Sequence, residues 1–180
     1  VLKEEPQGVT PFEKVEVDWS KTKAWGAGGY YGRLMLNVQG REPQGIIPQS
    51  QYAAVRDELM ERLAGITDDK GKNLNTVSFT PEASYREIKN YPSDLIVYFG
   101  NLAWRAIGGL GYDTIYTFEN DTGPDDANHA QFGLFIVQEP GAQGSRKAQG
   151  AQIYDVAPTI LSMLGVPVPA DMIGKDLRSR

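Results

Sequence analysis

The chain has 180 residues, 41% of them apolar, and a formal net charge of -5, with 18 basic residues spread along its length. Such a chain can bury one core, and an acidic balance without a basic stripe argues against binding a nucleic-acid polymer. Cysteine is absent and there is one histidine, so there is no disulfide framework, and any transition metal must be held by His129 and carboxylates. No apolar run approaches the roughly 18 to 20 residues that cross a bilayer, so no membrane segment is expected.

The chain opens on Val-Leu-Lys-Glu-Glu-Pro rather than on methionine, which reads like the interior of a longer chain and sets the expectation of a fragment. Residues 14–19 alternate like an edge strand. Residues 25–31 are glycine- and aromatic-rich, and 32–38 form a predicted strand with Leu34, Leu36 and Val38 on one face. After a loop at 40–48, Ser50 is placed to cap a helix in which Tyr52, Val55, Leu59 and Leu63 recur at helical spacing and which Gly65 stops. A turn-forming linker at 67–75 leads to a short strand at 76–80 and a short helix over 81–89 that begins at Pro81. Residues 94–99, Asp-Leu-Ile-Val-Tyr-Phe, read as a strand buried on both faces. Residues 102–107 and 114–118 are expected to pair as a hairpin around the glycines at 108–111. A second apolar run at 132–137 reads as a buried strand, and 156–164 as an apolar helix capped by Asp155, with Pro158 tolerated in its first turn.

Few residues carry chemistry. His129, in a Gly/Asp/Asn loop before 132–137, is either a metal-capable imidazole or an ordinary surface histidine. Asp125 precedes it by four residues, a metal-pair spacing on a helix, but Gly123 and Pro124 disfavour a helix there and leave Asp125 as a loop acid. Arg33, Arg41 and Arg105 have the guanidinium fork that fits a phosphoryl group, and Arg41, in a Gly-Arg-Glu-Pro turn, is the one singled out for substrate binding. Trp25, Tyr30, Tyr31 and Trp104 would stack a base or sugar, although aromatics flanking glycines more often fill a core.

The stretch 123–177 resembles the C-terminal end of the alkaline phosphatase superfamily, in particular its type I phosphodiesterase/nucleotide pyrophosphatase branch. The likeness is carried by His129 in its loop, by Gly133-Leu134-Phe135-Ile136, by Pro140-Gly141 and by Tyr154-Asp155-Val156-Ala157-Pro158-Thr159-Ile160-Leu161. It continues through the closing pattern Leu164-Gly165-Val166-Pro167-Val168-Pro169, Met172, Gly174 and Leu177. The segment 30–64, with Gly40-Arg41-Glu42-Pro43-Gln44-Gly45, is similar to the stretch that follows the Asp-His-Gly metal motif in such enzymes.

The resemblance implies an α/β fold, a mixed and mostly parallel sheet flanked by helices, forming the C-terminal portion of an alkaline-phosphatase-like fold. On that reading 1–180 is a single domain, with 1–24 a lead-in, 25–90 an inserted or cap-like lobe and 91–180 part of the core sheet. It further implies a hydrolase of phosphate-ester small molecules that uses a divalent metal, zinc or manganese, with His129 at the family's last ligand position. Asp125 and Asp126 would then accept from the other imidazole nitrogen and fix its tautomer. The family's nucleophile and most of its Asp and His ligands have no counterpart here, so the chain alone is expected to be inactive and to hold metal weakly. The alternative is a non-catalytic binding or assembly module that retains the fold. The compartment is left open.

Overall fold

The computed structural model describes residues 1–118, 127, 129–139, 141, 143–145 and 147–179. It divides into two compact units, Val1–Gly133 and Leu134–Arg180.

The first unit is built on a four-stranded sheet of β2 (Ala24–Ala27), β3 (Gly32–Leu36), β5 (Leu95–Tyr98) and β4 (Val77–Phe79), in that spatial order. A minor ribbon pairs β1 (Thr10–Pro11) with β6 (Gly109–Leu110). Every ladder is antiparallel: Trp25 opposes Met35, Arg33 opposes Ile96 and Ser78 opposes Val97. The mostly parallel sheet expected from the sequence is therefore corrected. β2 and β3 are joined by residues 28–31 alone, and a parallel pair needs a crossover of a dozen or more residues.

Burial follows the period of two. Leu95 and Val97 are fully buried, while Ile96 and Tyr98 on the other face are half-buried, so β5 is covered mainly on one side rather than on both. Leu36, Val38 and Ile47 form the buried centre of the core, with Ala24, Leu34 and Ile46 around it.

Helix α1 (Tyr52–Ala64) lays Tyr52, Val55 and Leu59 on this core, three of the four residues expected from helical spacing; Leu63 is half-buried. Its start differs from expectation. A short 3-10 turn at Gln49–Gln51 precedes it, and Ser50 makes no cap because Gln51 occupies the N-cap without a side-chain bond. Because Leu59 is half-buried, Leu59→Ala should cost about 1–2 kcal/mol, below the range for a fully buried leucine. Glu58 only pairs with exposed Arg62 at 2.6 Å, so Glu58→Ala should cost about 0.3–0.5 kcal/mol. Equal midpoint shifts in urea unfolding would show that α1 is not docked by this face.

Helix α2 (Pro81–Ser84) is shorter than expected but starts as expected: Pro81 occupies the first turn and the Thr80 hydroxyl accepts from the Ala83 N–H. Three predicted elements do not form. Residues 12–14 are a 3-10 turn, leaving only a bridge from Val17 to Leu2 of the 14–19 strand. Gly109 and Leu110 pair with β1, so no hairpin joins 102–107 to 114–118; instead the Trp104 ring meets the Tyr116 and Phe118 rings. The run 132–137 belongs to no sheet, and its side chains are exposed: Phe132 by 85%, Leu134 by 88% and Ile136 by 80%.

The second unit is organised by α3 (Val156–Met163) and by a tail that folds back on it. Asp155, 3% exposed, accepts from the Gln152 and Lys175 N–H groups, and so ties the helix entrance to the tail. The Thr159 hydroxyl donates to the Asp155 carbonyl and accepts from the Leu177 N–H. Asp155 is structural, as the sequence suggested, though it caps the preceding 3-10 turn rather than α3 itself. Arg178 forks onto Asp176 and reaches Ser162 and Glu139.

Candidate functional site

Two glycines bring the first site together. A Cβ on Gly28 would lie 2.6 Å from the Gly108 nitrogen and 2.7 Å from the Ala106 oxygen, so only glycine permits that approach. Beside it, Gly29 and Ala106 exchange backbone hydrogen bonds of 2.7 and 3.0 Å. This bridge carries Tyr30 against the chain at Arg105, whose guanidinium carbon stands 5.2 Å from the Tyr30 ring centre. The His129 ring lies against Tyr30 as well, centroid to centroid 3.8 Å and inclined by 48°.

The result is an open cleft of about 380 Å³ walled by Tyr30, Tyr31, Tyr98, Leu102 and His129. One wall is strained: Gly100, Asn101 and Leu102 have φ of 56°, 54° and 72°, three successive residues in the left-handed region. Leucine there costs on the order of 1–3 kcal/mol, and such backbone clusters at binding sites. Chemically the cleft offers an imidazole and several phenols, with the Arg105 guanidinium, not itself a wall residue, packed over the Tyr30 ring. That combination receives an anion attached to a flat ring.

Among the described residues, no group of three or more His, Cys, Asp or Glu side chains gathers to hold a metal ion. His129 offers one imidazole where zinc sites use three or four protein ligands, so the described residues do not by themselves fit a metal centre. Asp125 and Asp126 lie outside the described residues.

Arg41 is placed elsewhere. Its two terminal nitrogens grip Asp94 at 2.7 Å each, one of them also donates to the Leu36 carbonyl, and its Nε donates to Glu42. Asp94 is 3% exposed and also accepts from the Leu36 N–H at 2.6 Å and from the Tyr52 hydroxyl at 2.7 Å. Burial alone would raise the Asp94 carboxyl, but the bonds from Arg41, Tyr52 and Leu36 outweigh it and hold the group below the usual carboxylate range. The hydrogen bond to Asp94 raises the Arg41 guanidinium in turn, against the opposing effect of burial. The Tyr52 phenol is pushed up by burial and by the same carboxylate. Arg41 is thus committed to pinning the end of β3 to the start of β5 and to α1.

Of the three arginines, the one beside the cleft is Arg105; Arg33 is exposed on β3. The aromatic flank read from sequence contributes Tyr30 and Tyr31. Trp104 stacks with Tyr116 and Phe118 instead, and Tyr98 was missed because it sits in an apolar strand run. The one available signal was the glycine density around Tyr30, which marks a close backbone approach. Compared with protein-family models, curated proteins and solved structures, the chain gives no match.

Proposed function

We propose that the chain is the C-terminal part of a metal-dependent hydrolase of phosphate esters, of the phosphodiesterase or nucleotide pyrophosphatase kind, and that it is inactive without the rest of that protein. The observation that supports this is the cleft at His129. The His129 imidazole lines a space of about 380 Å³, large enough for a small ester, and the Arg105 guanidinium packs on the same Tyr30 ring that His129 touches. The resemblance of 123–177 supplies the reaction class. This chain's own part is to place His129 at the cleft, to hold the Arg105 charge on the neighbouring Tyr30 ring, and to offer Tyr31 to the ring of the ester.

The exposed run at 132–137 favours the second reading, a binding or assembly module. Five large apolar side chains there, Phe132, Leu134, Phe135, Ile136 and Val137, are open to solvent, as is usual for a surface that meets a partner.

On either reading the chain alone, given an activated phosphodiester with zinc or manganese, should release no product above buffer; the two part on the activity of the full-length protein. In the full-length protein, His129→Ala should remove or misplace metal and cut the rate roughly 100-fold or more, with little change in thermal midpoint because a loop residue carries little packing. Unchanged metal content and rate would return His129 to a loop histidine and leave the assembly reading.

A further inference from the structure

A second cleft of about 280 Å³ lies on the first unit, shares no wall residue with the His129 cleft, and has Trp19, Trp25, Asn37, Glu42 and Gln44 along its sides. Trp19 and Trp25 stand edge to face, centroids 5.1 Å apart and planes at 81°, which leaves at least one face of each indole outside the pair. Asn37 is 1% exposed and fixed on every side. Its backbone N–H donates to the Lys23 carbonyl, its carbonyl accepts from the Ile46 and Ile47 N–H groups, and the two hydrogens of its amide nitrogen are shared among the carbonyls of Trp19, Thr22 and Gln44 at 2.9 to 3.0 Å.

These bonds use the amide nitrogen and leave Oδ1 without a donor from the protein; that oxygen is not among the sealed, unpartnered polar atoms. A rigid acceptor is thus presented in a cleft that Asn37 lines. Glu42 adds a second acceptor. Its oxygens take the Val38 N–H at 2.8 Å and the Arg41 Nε at 2.7 Å, and a carboxylate has lone pairs beyond these two. Arg41 holds one Glu42 oxygen but shares its single charge with Asp94, so the Glu42 carboxylate stays a strong acceptor for hydroxyl donors.

Acceptors beside indole faces call for a ligand that brings hydroxyl donors on a ring with an apolar C–H face. The volume sits at the lower end of small-molecule sites, enough for one ring and too small for a nucleotide. We propose that this cleft binds a neutral pyranose, with its C–H face on an indole and its hydroxyls donating to Asn37 Oδ1 and the Glu42 carboxylate. The site is independent of the phosphate-ester reading, and its ligand is either a free monosaccharide or the terminal residue of a glycan.

The test is titration of the intact chain with methyl glycosides of glucose, galactose, mannose and N-acetylglucosamine, followed by tryptophan fluorescence and by saturation-transfer NMR. At least one glycoside should give saturable quenching and transfer to its ring protons. Trp25→Phe, which keeps an aromatic wall, and Glu42→Gln, which keeps the acceptor for Val38, should each weaken that glycoside roughly tenfold, equal to about 1.4 kcal/mol. Circular dichroism reports whether each variant is folded. Should Trp25→Phe not fold, Glu42→Gln and competition between glycosides decide the matter. The proposal fails if no glycoside saturates, if folded variants bind as the parent does, or if tetramethylammonium saturates the site and glycosides do not. Transfer from an oligosaccharide but from no monosaccharide methyl glycoside would also overturn the one-ring assignment.

Discussion

Replacing Asp94 by alanine should lower the unfolding free energy by about 3–5 kcal/mol, because it takes the shared carboxylate from partly buried Arg41, from the Tyr52 hydroxyl and from the buried Leu36 N–H at once. The carboxylate receives four hydrogen bonds from three different parts of the chain: two from Arg41, one from Tyr52 and one from the Leu36 N–H. Tyr52→Phe removes only one of these and should cost about 1 kcal/mol, a useful contrast measured in the same urea series. The acid dependence has a definite sign. The folded carboxyl lies below its usual value, so its stabilisation is complete above the unfolded value, about 3.9, and is lost as pH falls through the folded one. Stability of the parent should therefore drop below about pH 4 more steeply than that of Asp94→Asn. Parallel acid profiles would mean that the Asp94 carboxyl titrates alike in the folded and unfolded chain and is not held down by its partners.

Gly174→Ala should release the tail of the second unit. A Cβ at Gly174 would sit 1.8 Å from the Tyr154 carbonyl oxygen and 2.3 Å from its carbon, a backbone collision that no rotamer relieves. Overpacking of this kind costs about 1–3 kcal/mol. The strain falls on two bonds, Lys175 N–H to Asp155 at 2.8 Å and Leu177 N–H to Thr159 at 2.9 Å, and on the burial of Leu177 at 6% exposure. Amide exchange at 175 and 177 should accelerate roughly tenfold or more, corresponding to at least about 1.4 kcal/mol of lost local stability. Protection that is unchanged would show that the tail is not seated as described.

Local pattern made several elements legible. The spacing of Tyr52, Val55 and Leu59 located α1 and its packing face, and the alternation through Leu34 and Leu36 located β3. Strand pairing was not legible, because the run at 95–98 has the same composition whether its neighbours lie parallel or antiparallel; short connections and register decide that. The run at 132–137 has strand-like residues, yet composition gives a propensity and not a neighbour to bond with. The arginines were ambiguous for the same reason. Nothing near Arg41 in sequence discloses Asp94, 53 residues further on, or that Arg105 is the one beside Tyr30.

The open run at 132–137 also bears on how this polypeptide behaves in a tube. Residues 130–138 carry no charge and no proline, and a solvent-facing, β-prone, uncharged window is the kind that seeds self-association. Gly133 interrupts it, but no lysine or glutamate gatekeeper lies within it. Preparations of the 180-residue chain by itself will therefore be limited by concentration before they are limited by folding, and a lysine placed at Leu134 or Ile136 is the simplest way to keep them dispersed.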